Sequence, residues 1–216
     1  MAGGASAQRA RRYRSPKRQD QARRTRRQIL EAAGTQFRSF GYAGTTMSAI
    51  AAAAGVSVPT VELAFSTKAA LLKGAIDVAI AGDDEPIPIL QRPWATQSQE
   101  TSAAEQFLAG VADVLVASAQ RADALVLAAF EAARADQRLA PLAAQLKAQR
   151  TTTAAWIVDG IAARSELRTD RAQAIDIVWL LMDPALFERL TADRGWTAQR
   201  YGAWFADSAL RLLTES

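Results

Sequence analysis

The twenty residues Met47–Ser66, MSAIAAAAGVSVPTVELAFS, constrain the fold more than any other part of the chain. Two short helix-forming runs flank Gly55-Val56-Ser57. Gly55 supplies the positive φ of a sharp turn. The small Ala51 lets two helix backbones approach, and Ile50, Val56 and Val61 fill the small core they share. Thr45 and Thr46 precede the first run and offer a threonine as its natural N-cap, and Ser57 is that of the second, with Pro59 in a first turn where a missing N–H costs little. A helix pair of this kind leaves the N-terminal residues of its second helix facing outward, as a reader of the DNA major groove requires. An Ala/Gly/Val pattern also arises readily in any alanine-rich helical chain, so the flanking residues must decide.

The flanks continue the helical pattern. From about Gln21, apolar residues recur three, four or seven apart at Ile29, Leu30, Ala33, Phe37 and Phe40, and Gly41 ends the run. Ser66 or Thr67 starts another helix from Lys68 to about Ile80, with Leu71, Leu72, Ala75, Ile76 and Ala79 on its apolar positions. Residues 82–100 carry three prolines and an acidic cluster and read as an irregular connection. Five helical stretches are expected beyond it, at about 101–119, 122–135, 138–163, 170–191 and 197–214. The fold class is therefore all-α, an N-terminal three-helix helix-turn-helix domain joined to a C-terminal helical bundle. The expected division is a disordered basic arm at 1–20, the reader at 21–81 and a body for effector binding and dimerisation at 82–216.

Charge is distributed unevenly along the chain. The net +4 resolves into +10 over residues 1–75, with 13 Lys/Arg against 3 Asp/Glu, and −6 over the remainder. The basic end is the nucleic-acid candidate. Arg9, Arg11, Arg12, Arg14, Lys17 and Arg18 read either as a solubilising tail or as contacts to phosphates and the minor groove.

The chain has no cysteine and no histidine, which excludes thiol nucleophiles, imidazole bases and Cys/His metal sites. Its carboxylates lie mainly on helical surfaces, with no glycine-rich phosphate loop beside them. The expectation is a non-enzyme without cofactor. No apolar stretch follows the basic start as a secretory signal requires, and no run is long enough for a membrane span, so the reading is a cytoplasmic protein without membrane contact.

Over about fifty residues, TRRQILEAAGTQFRSFGYAGTTMSAIAAAAGVSVPTVELAFSTKAALLKGAI resembles the N-terminal domain of TetR-family repressors. LLMDPALFERLTADRGWTAQRYGAWFADSALRLL resembles the tail of many such regulators, where the last two helices form the dimer. The resemblance implies a repressor that binds a double-stranded operator as a homodimer. It makes Thr46, Ser57, Thr60 and Lys68 phosphate contacts and Val58, Pro59, Glu62 and Leu63 the groove-facing set, while Val61, Phe65 and Leu71 read as core. The chain departs from the family where it has Val58, Pro59, Glu62 and Ala64 in place of Lys-Gly, an aromatic, and Tyr or His, so two usual phosphate contacts are missing. Glu62 could accept from a cytosine amino group or simply repel phosphate, and Val58 or Leu63 could touch a thymine methyl.

One short recognition helix reads few base pairs, so two readers about 34 Å apart are expected. Ile175, Trp179, Met182 and Leu186 form one apolar stripe, and Tyr201, Trp204, Phe205, Ser208 and Leu212 another; together they suit a four-helix dimer interface or each molecule's own core. Gln149 and Thr153 interrupt an otherwise apolar face, either as a hydrogen-bonded polar pair or as part of a cavity for a small apolar effector walled by Phe107, Phe130 and Trp156. The alternative to a specific regulator is an architectural protein that coats DNA through its arginine-rich arm.

Overall fold

A computed structural model of the protein describes residues 16–215, with side chains from Arg18 onward. Its order is α1 Pro16–Gly44, α2 Met47–Ala53, α3 Val58–Ala64, α4 Lys68–Ala81, α5 Pro93–Gln99, α6 Ala104–Ala135, α7 Ala140–Ala162, α8 Arg171–Leu181, α9 Pro184–Glu188 and α10 Ala198–Leu213. Among the described residues there is no strand, only an isolated bridge between Leu167 and Thr214. No single described helix is long and apolar enough to cross a membrane.

The first helix starts five residues earlier than the periodicity predicts, with Pro16 in the first turn, where its fixed φ suits a helix start. Its regular turn ends at Gly41, whose φ of 64° and ψ of −178° break the helix as expected. The connection at 82–100 is more ordered than predicted: Ile89–Gln91 form a 3-10 turn, and Pro93 opens α5.

Two of the predicted stretches behind it fuse. The sequence suggests a break at residues 120–121, yet α6 runs unbroken for 32 residues, about 48 Å at the usual rise. Gln120 and Arg121 are good helix formers; what changes there is the partner. Phe107, Leu108 and Val111 face a core shared with α7, α8 and α10, whereas Leu125, Val126 and Ala129 face the core of α1–α4. The opposite error occurs at 170–191, which divides into α8, α9 and a π-helical turn at Arg189–Asp193. Pro184 cannot continue the hydrogen-bond ladder, and Asp183 caps the new start by accepting from the Ala185 N–H at 2.9 Å.

The reader is therefore not an isolated bead. Ile29, Phe37, Ile50, Val61, Leu71 and Ile76 share one buried cluster with Leu125 of α6, Leu139 just before α7, and Leu142 and Leu146 in its first two turns. Burying a side chain of this size stabilises by about 1.5–3 kcal/mol, and here the gain couples the reader to the body.

Candidate nucleic-acid interface

Helices α2 and α3 cross at 104°, within the range of helix-turn-helix pairs. Gly55, at φ 67°, makes the turn, and the Val56 N–H donates back to the Ala51 carbonyl at 3.0 Å. Ile50, Ala51 and Val61 are fully or almost fully buried. Thr46 Oγ1 accepts from the Ala49 N–H at 3.1 Å. Ser57 Oγ accepts from the Thr60 N–H at 3.3 Å and lies 2.8 Å from Thr60 Oγ1. Both capping residues remain exposed at helix N-termini, so capping and phosphate contact are compatible. Pro59, Glu62 and Leu63 are exposed on α3, Leu63 at 91%.

Residues 29–75 match the family model of bacterial regulatory proteins of the tetR family. This segment is a TetR-family domain. Over most of its length the chain is similar in fold to a TetR-family transcriptional regulator from Mesorhizobium loti, at 21% identity and TM-score 0.60, with 90% of this chain and 98% of that one covered. It is similar also to FadR from Bacillus subtilis, solved with stearoyl-CoA, at 18% identity and TM-score 0.67, covering 86% and 98%. A transcriptional regulator from Saccharomonospora viridis, solved with choline, gives 16% identity and TM-score 0.66, covering 90% and 100%. No curated protein matches the chain.

Three features of the TetR-type reader differ from the sequence expectation. Lys68 is half-buried, and two of its donors are engaged within the protein: its ammonium donates to the carbonyls of Tyr42 and Thr45 and sits over the Tyr42 ring, and burial lowers its pKa. Val58 is half-buried and packs against the reader's core rather than facing outward. Thr45 does not share the capping role; it is buried, with its hydroxyl within hydrogen-bond reach of the Gln36 and Gly41 carbonyls at the end of α1.

Sequence reasoning missed Arg26, which donates to the Ala64 carbonyl at 3.0 Å and lies 4.0 Å from the Phe65 ring centre. It thereby fixes the C-terminus of α3 to α1, a contact across 38 residues that no local pattern announces. Arg18, Arg24 and Arg38 are exposed and make no hydrogen bond or ion pair among the described residues. Arg9, Arg11, Arg12 and Arg14 and the side chain of Lys17 lie outside the described residues.

In the body, the structure brings Phe107 and Trp156 together but does not bring the other expected effector residues to them. Phe107 is buried in the core of α6, α7, α8 and α10 and packs 5.4 Å from Trp156 between ring centres, whereas Phe130 packs against the other core. Gln149 is exposed, and Thr153 donates its hydroxyl to the Gln149 carbonyl. The inward stripe of α7 runs one step over, through Leu142, Leu146, Ala154, Ile157 and Ile161, and the position in line between Leu146 and Ala154 is Arg150. Its guanidinium stacks 3.5 Å over Trp179 and donates to Asp183 at 2.8 Å.

The expected dimer stripe on α10 is likewise turned inward in part. Tyr201 and Phe205 are buried, facing the body with Ala209 and Leu213, and the Tyr201 hydroxyl donates to the Leu181 carbonyl at 2.7 Å. These two are corrected from interface to core: residues four apart on α10 form the face that packs on α6. Ile175, Trp179, Met182 and Trp204 are half-buried, Leu212 is 48% exposed, and the unpredicted Leu180 is 62% exposed.

Proposed function

We propose that the protein is a sequence-specific transcriptional regulator that binds a two-fold-symmetric operator as a homodimer, represses, and is controlled by a small apolar molecule. The observation that carries this reading is the outward face of α3, where Leu63 is almost wholly exposed together with Pro59 and Glu62, while the hydroxyls of the N-cap Ser57 and of Thr60 lie 2.8 Å apart at the start of the helix. Such a face matches base edges in a major groove, with phosphate contacts on either side. Thr46, Ser57 and Thr60 are the phosphate contacts of this reading, and Pro59, Glu62 and Leu63 meet the bases. Arg18 and the basic residues before it add electrostatic affinity. The exposed Leu180 and Leu212, with the half-buried Ile175, Trp179, Met182 and Trp204, support a second copy docking on α8 and α10. Ligand control is supported by the fold neighbours solved with stearoyl-CoA and with choline.

Footprinting over the DNA surrounding the gene tests the reading. A short symmetric protected site is the expected result; uniform coating would favour the architectural alternative. In the same assay, removal of residues 1–20 weakens binding and flattens its dependence on salt, because released counterions scale with neutralised phosphates.

A further inference from the structure

Trp179, part of the α8 stripe to which the homodimer reading brings a second copy, lies against a cluster of charged groups drawn from several helices. Arg150 of α7 is at its centre. The Arg150 side chain is only 10% exposed, its guanidinium stacks 3.5 Å over the Trp179 ring, and its Nη1 donates to Asp183 at 2.8 Å. Its Nε is buried and has no partner among the described residues. Asp183 is doubly committed, since its other carboxylate oxygen caps α9 by accepting from the Ala185 N–H at 2.9 Å. Asp123 of α6 is the third member, half-buried and without a hydrogen bond among the described residues. Glu188 of α9 adds a further negative charge. Tyr201 of α10 feels the charges of Asp123, Asp183 and Arg150, with its hydroxyl already given to the Leu181 carbonyl.

One guanidinium thus stands among three carboxylates. Asp183 balances it, so an ionised Asp123 is an unbalanced charge, and such a charge costs more as water is withdrawn. Burial pushes the Asp123 carboxyl up to about 7, with Asp183 and Glu188 adding to the shift and Arg150 opposing it. The chain has no histidine and no cysteine, the side chains whose ordinary titration lies nearest neutrality. Asp123 therefore stands apart in that range.

We propose that Asp123 is a proton switch for self-association, a switch that rests on the homodimer reading above and deepens it: the two copies dock preferentially with this carboxyl neutral. Trp179 is the link. In the single chain it is half-buried, with Arg150 over its ring. A second copy docking against it and against Leu180, which is 62% exposed, withdraws water from the edge of the cluster. The unbalanced charge then costs more in the dimer than in the separate protomer, so docking takes up protons at the two copies of Asp123. Association is strongest below neutrality, where the carboxyl is protonated in both states, and weakens as pH rises through the neutral range.

Sedimentation equilibrium of the full chain at pH 6, 7 and 8, at one ionic strength, tests the switch. The dimer dissociation constant is expected to rise about tenfold between pH 6 and pH 8, because each dimer carries two linked carboxyls. Asp123→Asn is expected to hold the same constant at all three pH values, close to that of the parent at pH 6. Asp113→Asn, at an exposed site on the same helix, keeps the parent's pH dependence. A parent constant that is equal at pH 6 and pH 8, one that falls as pH rises, or a pH dependence that survives in Asp123→Asn overturns the switch and leaves the homodimer standing. A chain that stays monomeric at every pH overturns the homodimer reading itself, and the switch with it.

Discussion

The ammonium of Lys68 lies 2.8 Å from the carbonyl oxygen of Tyr42 and 4.1 Å from the centre of the same residue's ring. With the Thr45 carbonyl at 2.9 Å, this single cation ties the start of α4 to the junction of α1 and α2. A lysine at the head of a helix near a DNA reader invites assignment to phosphate. Here two of its three donors are already committed to carbonyls of the protein itself, and the role expected of it is to brace the junction from which α2 and α3 are presented.

Lys68→Met tests that role. Removing the ammonium leaves two carbonyls without their donor, which costs about 2 kcal/mol. Denaturant titration should register that loss, while operator affinity measured well below the unfolding midpoint changes little. A large loss of affinity at unchanged stability would instead return Lys68 to the phosphate-contact set.

The approach of α6 and α7 depends on Gly160. A Cβ at this position would overlap the Phe107 ring, which is held on its other sides by Trp156, at 5.4 Å between ring centres, and by the Arg164 guanidinium at 4.5 Å. Alanine gains about 1 kcal/mol in helix propensity, but overpacking in a closed core costs about 1–3 kcal/mol. Gly160→Ala is therefore expected to lower the thermal midpoint and to shift the tryptophan emission as the Phe107–Trp156 contact is displaced.

The reader was legible because its signals are local. Thr46, Gly55 and Ser57 act within three or four residues of themselves, and each occupies its expected place. The body was less legible because its deciding contacts join distant helices. Nothing near Arg150 indicates that Trp179 and Asp183 will cover it, so the sequence pattern alone puts the polar interruption of α7 at Gln149 and Thr153, one helical step away. On α10, Tyr201 and Trp204 are both aromatic and three residues apart; only the packing of α6 determines that the first is core and the second half-exposed. The break predicted inside α6 has the same origin, since an apolar stripe that changes partner looks, in sequence, like the end of a helix.

Asp123 gives the body a distinctive pH dependence. Burial is the main cause that pushes its carboxyl up to about 7, reinforced by the negative charges of Asp183 and Glu188 and opposed by Arg150. Below about pH 4 the group is neutral in folded and unfolded chains alike. Between about pH 4 and 7 the unfolded chain gives up a proton that the fold retains, so stability falls as pH rises; above about 7 the fold bears the full cost of the buried charge. Asp123→Asn should therefore be more stable than the parent at pH 8 by about 2 kcal/mol, allowing for solvent reaching a half-buried group, with the difference fading toward pH 4. Asp83, Asp84, Asp136 and Asp159 are lowered by their arginine partners, so their contributions are lost only as pH falls further, outside this window. Urea titrations at pH 4, 6 and 8 resolve the two effects, and equal curves for parent and variant at pH 8 would count against a buried Asp123 charge.

Leu63 separates base contact from fold more cleanly than any other residue of α3. At 91% exposure it contributes nothing to the core, and truncation of such a side chain normally changes stability by less than about 0.5 kcal/mol. If the side chain rests on a thymine methyl, Leu63→Ala costs about 1 kcal/mol of operator binding, a factor of about five. Replacing the contacted thymine by uracil removes the methyl and should cost the parent protein a similar amount, but should cost the variant almost nothing further. The double-mutant cycle made by protein and base therefore reads the contact itself. Additive losses would place Leu63 away from the bases, leaving Glu62 and Pro59 to carry whatever direct readout α3 performs.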